Sequence, residues 1–140
     1  MKIAFYIAKH GKFEDKIISF LTKSPYSHVE MVFSDGICAS SSQREDGVRF
    51  KKINIYNGKW DVYEVKDIFC ERLVRQWFVD NDGDKYDWTG AVGSWLGIDL
   101  YKEDRKFCSQ SCAIVLDRFR NQTPASLYKD LMDNGIIFKD

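Results

Sequence analysis

The sequence predicts a single α+β domain spanning residues 1–140, with strands gathered in the first half, helices in the second, and the two in segregated layers. Three observations carry this. Ser27 to Phe33 alternates, sending His28 and Glu30 one way and Val29, Met31 and Phe33 the other, as a strand with two different faces requires. From Phe69 onward the apolar residues recur with helical spacing instead. No linker separates the halves, because only 2 Pro and 9 Gly occur in 140 residues and no internal repeat is present.

Taken in order, Lys2 to Ala8 reads as a short apolar strand, and Phe13, Ile17, Phe20 and Leu21 as an amphipathic helix that Ser24-Pro25 ends. After the alternating strand, Asp35-Gly36 turns the chain into Ile37-Cys38-Ala39 and the serines 40–42. Glu45-Asp46-Gly47 turns it again before Val48, Phe50, Ile53 and Ile55, and Trp60 to Val65 forms the next strand. Phe69, Cys70, Leu73, Val74, Trp77 and Phe78 make a helical stripe behind an N-cap at Asp67. Asp87 caps a second helix carrying Trp88, Ala91, Val92, Trp95 and Leu96, with Gly90, Gly93 and Gly97 permitting close approach of a neighbour. Cys108, Cys112, Val115, Leu116 and Phe119 mark a third. Thr123-Pro124 opens the last, which Leu127, Leu131 and Met132 carry to Asn134-Gly135.

Composition narrows the function. Lys+Arg and Asp+Glu both number 21, so no net field collects nucleic acid or anionic lipid. No apolar run approaches the ~20 residues of a membrane span, and the N-terminal residues lack a signal-peptide cleavage site, so a cytoplasmic, unexported protein is expected. Cys38, Cys70, Cys108 and Cys112 read as thiols, since a chain of this size with a full core does not need disulfides. A metal site is not expected either, because the cysteine pair at 108 and 112 has C-x3-C spacing and no C-x2-C pair exists. No cofactor motif is present.

A cysteine near neutral pH is mostly protonated, so a nucleophilic one needs a helix N-terminus and a cationic partner. Cys108 has the first: charged Asp104-Arg105-Lys106 precede it and the helical stripe follows. Cys38 and Cys70 lack that placement in the predicted elements, and Cys112 reads as a small buried filler. His28 supplies the second in principle, with Glu30 projecting from the same strand face to orient the imidazole. The alternative is a solvated strand face, and a cysteine at a helix start is by itself more often structural than catalytic.

Three ordered motifs turn these residues into a constellation: Pro25-Tyr26-Ser27-His28-Val29-Glu30, Lys85-Tyr86-Asp87-Trp88 and Phe107-Cys108-Ser109-Gln110. In this order they resemble permuted papain-like amidases of the YiiX type, related to NlpC-type hydrolases. The stretches from Ser34 to Lys51 and from Thr123 to Leu127 look like a phage- and prophage-encoded branch. The resemblance implies a circularly permuted papain-like fold, an antiparallel sheet packed against helices, in which the histidine strand precedes the cysteine helix. It implies a thiol hydrolase acting on an amide bond in a peptide, acyl-amide or other small-molecule substrate, in the host cytoplasm. Cys108 is then the nucleophile and His28 the general base. Glu30 is the preferred orienting residue over Cys38, which occupies another position where relatives carry a third catalytic group. Tyr86, Ser109 and Phe107 are assigned to oxyanion and substrate binding. Phe107 replaces an acidic residue that grips a substrate amine in unpermuted relatives, so acyl groups without a free α-amine are expected, and Gln110 stands where many permuted members have glutamate. An acyltransferase or lipid esterase of the same fold, and a catalytically silent binding module, are the alternatives.

Overall fold

The computed structural model describes residues 1–11 and 25–139; the helix expected over Phe13–Leu21 lies outside them. Six strands form one sheet: β1 (Lys2–Ile7), β2 (Tyr26–Val32), β3 (Ile37–Ser42), β4 (Gly47–Lys52), β5 (Trp60–Val65) and β8 (Ile137–Phe138), in the order β4-β3-β2-β1-β5-β8. Every pairing in it is antiparallel. Four α-helices occur among the described residues: α1 (Glu71–Asp80), α2 (Trp88–Leu96), α3 (Cys108–Val115) and α4 (Pro124–Asp133). The fold is therefore α+β, and none of these helices is long and apolar enough to cross a membrane.

Alternation in β1 and β2 sorts the sheet into two faces. Ile3 opposite Met31 and Phe5 opposite Val29 point to one side, where they join Cys112, Ala113 and Leu116 of α3 and Leu127 and Leu131 of α4 in the main core. Ala4 opposite Glu30 and Tyr6 opposite His28 point to the other. There Ala4, Val32, Cys38 and Ile55 form a smaller apolar cluster beside Trp60 and Val62. Each fully buried side chain of this kind contributes about 1.5–3 kcal/mol, so the larger cluster fixes the fold. The smaller face is left to carry polar groups.

Helix ends follow the cap chemistry at two of the expected positions. Asp87 Oδ1 accepts the Gly90 N–H at 2.9 Å, and Thr123 Oγ1 accepts the Ser126 N–H at 3.2 Å with Pro124 at the first helical position. Two expectations need correction. Asp67 is not the cap of α1: Phe69 donates its N–H to the Lys66 carbonyl in a turn, and Cys70 is the N-cap. Phe69 reaches the core from that turn, which is why it looked like part of the stripe. Likewise Phe119 is not on α3, which ends at Val115 before Asp117 adopts φ 52° and leaves Phe119 exposed.

A two-stranded parallel piece, β6 (Lys85–Tyr86) with β7 (Arg105–Lys106), stands apart from the main sheet. It is docked at the far end of β4. Gly47, at φ 143°, makes this possible, since a Cβ there would sit 1.9 Å from the Asp84 carbonyl oxygen. The neighbouring Val48 N–H donates to that same oxygen at 2.8 Å. On the other side Ser41 Oγ donates to the Lys106 carbonyl at 2.7 Å. These contacts bring Tyr86 and Cys108 to the sheet.

Candidate active site

Cys108 is the first residue of α3, which packs on β2 and β3. The β2–β3 ladder is confined to Met31 opposite Ala39 and Val32 opposite Cys38. At the level of His28 the sheet is therefore open, and Cys108, whose side chain also belongs to the main core, lies near enough for its charge to act on the ring. First-turn amides have no upstream helical carbonyl to receive them, so the N–H groups of Cys108 and Ser109 are available to an anion. Cys108 is 5% exposed and does not itself line the cleft described below.

His28, with a side chain 22% exposed, bonds through Nε2 to Glu30 Oε1 at 2.8 Å. That leaves Nδ1 as the ring nitrogen free to face the thiol. Glu30 is fully buried and held in turn by Arg49, whose Nη1 and Nη2 donate to Oε2 at 2.7 Å and Oε1 at 2.5 Å. Arg49 lies opposite Ser40 in the β3–β4 ladder. Extending the β2–β3 register by one residue puts Ser40 between Glu30 and Arg49, and its small side chain leaves room for the guanidinium to reach across. The serine run thus has two uses: a spacer at Ser40 and a tether at Ser41.

Electrostatics follow from this chain of contacts. Burial works against the charged form of His28, but Cys108 and Glu30 outweigh it and raise the imidazole to about 10. Burial likewise opposes ionisation of Glu30, and the hydrogen bonds from Arg49 and His28 overcome it, holding the carboxyl below its ordinary value. Stability is linked to both shifts. The Glu30 contribution is present above the carboxyl's unfolded value of 4.5 and is lost as pH falls through its depressed folded value. The His28 contribution is present below 6.5 and lost as pH rises through about 10. Accordingly, thermal melts across pH should show an acid limb below 4.5 that flattens in Glu30→Gln. An unchanged acid limb in that variant would mean that other carboxylates govern acid unfolding.

Tyr86 is buried at the edge of the site, its ring 5.0 Å from that of Trp88. Burial, and then the charges of Cys108 and Asp87, push its phenol well above 10, so it stays protonated as a donor. Its hydroxyl makes no hydrogen bond with the described residues. Of the other two expected binding residues, Ser109 spends its hydroxyl on the Gln122 carbonyl at 2.6 Å. Phe107 is not a cleft residue: its ring is buried against Gly90 of α2, within 3.2 Å of where a Cβ would stand. This corrects the expected contact between Phe107 and the acyl group. Gln110 is a cap, since its Oε1 accepts the Phe107 N–H at 3.3 Å, and that contact needs no negative charge.

The remaining cysteines are free thiols as well. Burial, then the Glu30 charge, raises Cys38 to about 11, and burial raises Cys112 well above its usual value. Cys70 corrects an expectation: it does stand at a helix N-terminus, exposed, and the Leu73 and Arg72 backbone N–H groups lower its pKa. Arg49 is the site residue the sequence reading missed. The only signal was its alternation with Lys51 on a strand whose partners were unknown.

His28, Glu30, Arg49, Tyr6, Trp60 and Tyr86 line a cleft of about 380 Å³ on the sheet face away from the main core. That volume fits a small ligand or a short stretch of peptide. The sequence of this chain matches no protein-family model and no curated protein.

Proposed function

We propose that this protein is a thiol hydrolase that cleaves an amide bond through a Cys108 acyl-enzyme, on a circularly permuted papain-like fold. The observation that carries the reading is an imidazole held on one nitrogen by a buried, arginine-bound carboxylate and placed near enough to a helix-start thiol for that thiol's charge to act on it. The order of the elements agrees with permutation, because the histidine strand β2 precedes the cysteine helix α3 packed against it.

In the reaction, Cys108 Sγ attacks the scissile carbonyl carbon while His28 carries the thiol proton. The oxyanion of the tetrahedral intermediate accepts from the first-turn amides of α3 and from the Tyr86 hydroxyl. As the C–N bond breaks, His28 delivers its proton to the departing amine. A water then attacks the thioester, His28 takes its proton, and the acid leaves as the thiol is regenerated. Glu30 keeps the imidazole in one tautomer and stabilises its charged form.

An acyloxymethyl ketone, which alkylates a reactive thiol with loss of its carboxylate leaving group, tests this on the intact protein. Mass spectrometry should find the adduct on Cys108, and Cys108→Ala should lose it. Labelling confined to Cys70 would reject the reading, because that thiol is exposed without an imidazole partner. A second reading, acyl transfer or lipid ester cleavage by the same site, is favoured by one observation: Trp88, Val92 and Leu96 form an exposed apolar stripe on α2 beside Tyr86. Product analysis with and without an amine acceptor separates transfer from hydrolysis.

A further inference from the structure

The helix α2 runs Trp88-Thr89-Gly90-Ala91-Val92-Gly93-Ser94-Trp95-Leu96 without one charged residue. A helix of that composition belongs in an interior. Yet among the described residues α2 has no extensive packing with any other helix or strand. Its glycine side is filled by the Phe107 ring at Gly90 and by Ile98 and Leu100 at Gly93. The other side is open. Trp88, Val92 and Leu96 follow i, i+4, i+8 along it, Ile98 and Leu100 adjoin them in the loop that folds back on Gly93, and all five are between 45% and 69% exposed. At roughly 150–250 Å² for a whole large side chain, they leave on the order of 500 Å² of apolar surface to water.

We infer that this face is closed by the same face of a second copy of the chain, in an isologous pair with the two α2 helices antiparallel across a two-fold axis. The area fits: a standard interface takes about 800 Å² from each partner, about 65% of it apolar in homodimers, which is close to the surface left open here. The charge permits it. Lys+Arg and Asp+Glu both number 21, so two copies meet at neutral pH without net repulsion. A lipid surface, the other occupant such a stripe fits, is the poorer match, because an interfacial helix carries Lys and Arg on its polar face and α2 has neither. The stripe is centred on Val92, which symmetry then places at the axis facing its own copy, with Trp88 of each chain against Leu96 of the other. Since the Trp88 ring meets that of cleft-lining Tyr86 at 5.0 Å, the two clefts open beside the interface. None of this depends on the chemistry of Cys108.

Sedimentation velocity on the full chain tests the inference. The weight-average mass should climb from that of one chain toward that of two between about 1 and 100 µM. Val92→Glu sets like charges face to face at the axis and should hold the chain single over that range. Leu96→Ser, which removes apolar area without adding charge, should do the same. Leu73→Glu, a comparable change at an exposed position of α1, should leave the association as it was. Unchanged circular dichroism in each variant separates lost association from lost fold. A wild-type chain that stays single to the top of the range overturns the inference, and if that single chain floats with phosphatidylcholine vesicles, the face docks on lipid instead. An association that Leu73→Glu abolishes and Val92→Glu and Leu96→Ser spare overturns it too.

Discussion

Arg49→Met should lower the unfolding free energy by about 3–5 kcal/mol at neutral pH, read from urea denaturation, because it strands a fully buried carboxylate. The loss comes less from the missing attraction than from Glu30, which keeps its charge in a site it no longer shares with a guanidinium. Adding Glu30→Gln to the same chain should therefore restore much of the stability, and the wild type, the two single variants and the double variant together give the coupling energy. A loss below about 1 kcal/mol would place the contact among surface ion pairs and would remove Arg49 from the support of the site. Arg49→Lys is informative as well: one ammonium cannot reproduce the two-pronged contact with Oε1 and Oε2, so only part of the stability should return.

His28→Ala should slow alkylation of Cys108 by the acyloxymethyl ketone about 10²- to 10⁴-fold, the usual range for loss of a positioned acid–base group. The pH profile distinguishes this from misfolding. Wild-type protein should show an inflection near pH 10 as the imidazolium loses its proton, and the variant should lack it. Circular dichroism of the variant checks that β2 remains in place, since Val29 and Met31 on the opposite face anchor the strand independently of His28. Equal rates in the two proteins would separate His28 from the thiol's chemistry and leave the cleft as a binding site.

Local chemistry made much of this readable from the sequence. The two faces of β2 are written in its alternation, and the caps at Asp87 and Thr123 each act on residues two or three positions away. Gly90 and Gly93 were legible as sites of close approach, where the Asp87 carboxylate and the Phe107 ring, and the Ile98 carbonyl, come near, but Gly97 has nothing near it and instead ends α2 in the left-handed region at φ 71°. What escaped depended on pairing between distant segments. Arg49 acquires its role only when β4 lies two strands from β2. The Cys70 cap was hidden because Phe69 and Cys70 continue the apolar stripe of α1, although the helix begins after them. The Phe107 side chain was misplaced for a related reason: its position in the motif fixes its backbone beside the thiol, but the gap at Gly90 decides where the ring goes.

The Ser41 tether has a consequence for when Cys108 and His28 come together. It joins residues 65 positions apart, and closing a loop of that length carries an entropic cost that local helix formation does not. Turns of helix form locally, yet the encounter of Cys108 with the imidazole waits for β3, β4 and the Lys85–Tyr86 segment to assemble. During synthesis and refolding Cys108 is consequently without its His28 neighbour, which arrives late, as a property of the completed tertiary structure. Time-resolved labelling during refolding should find the Cys108 adduct lagging behind the recovery of helical signal.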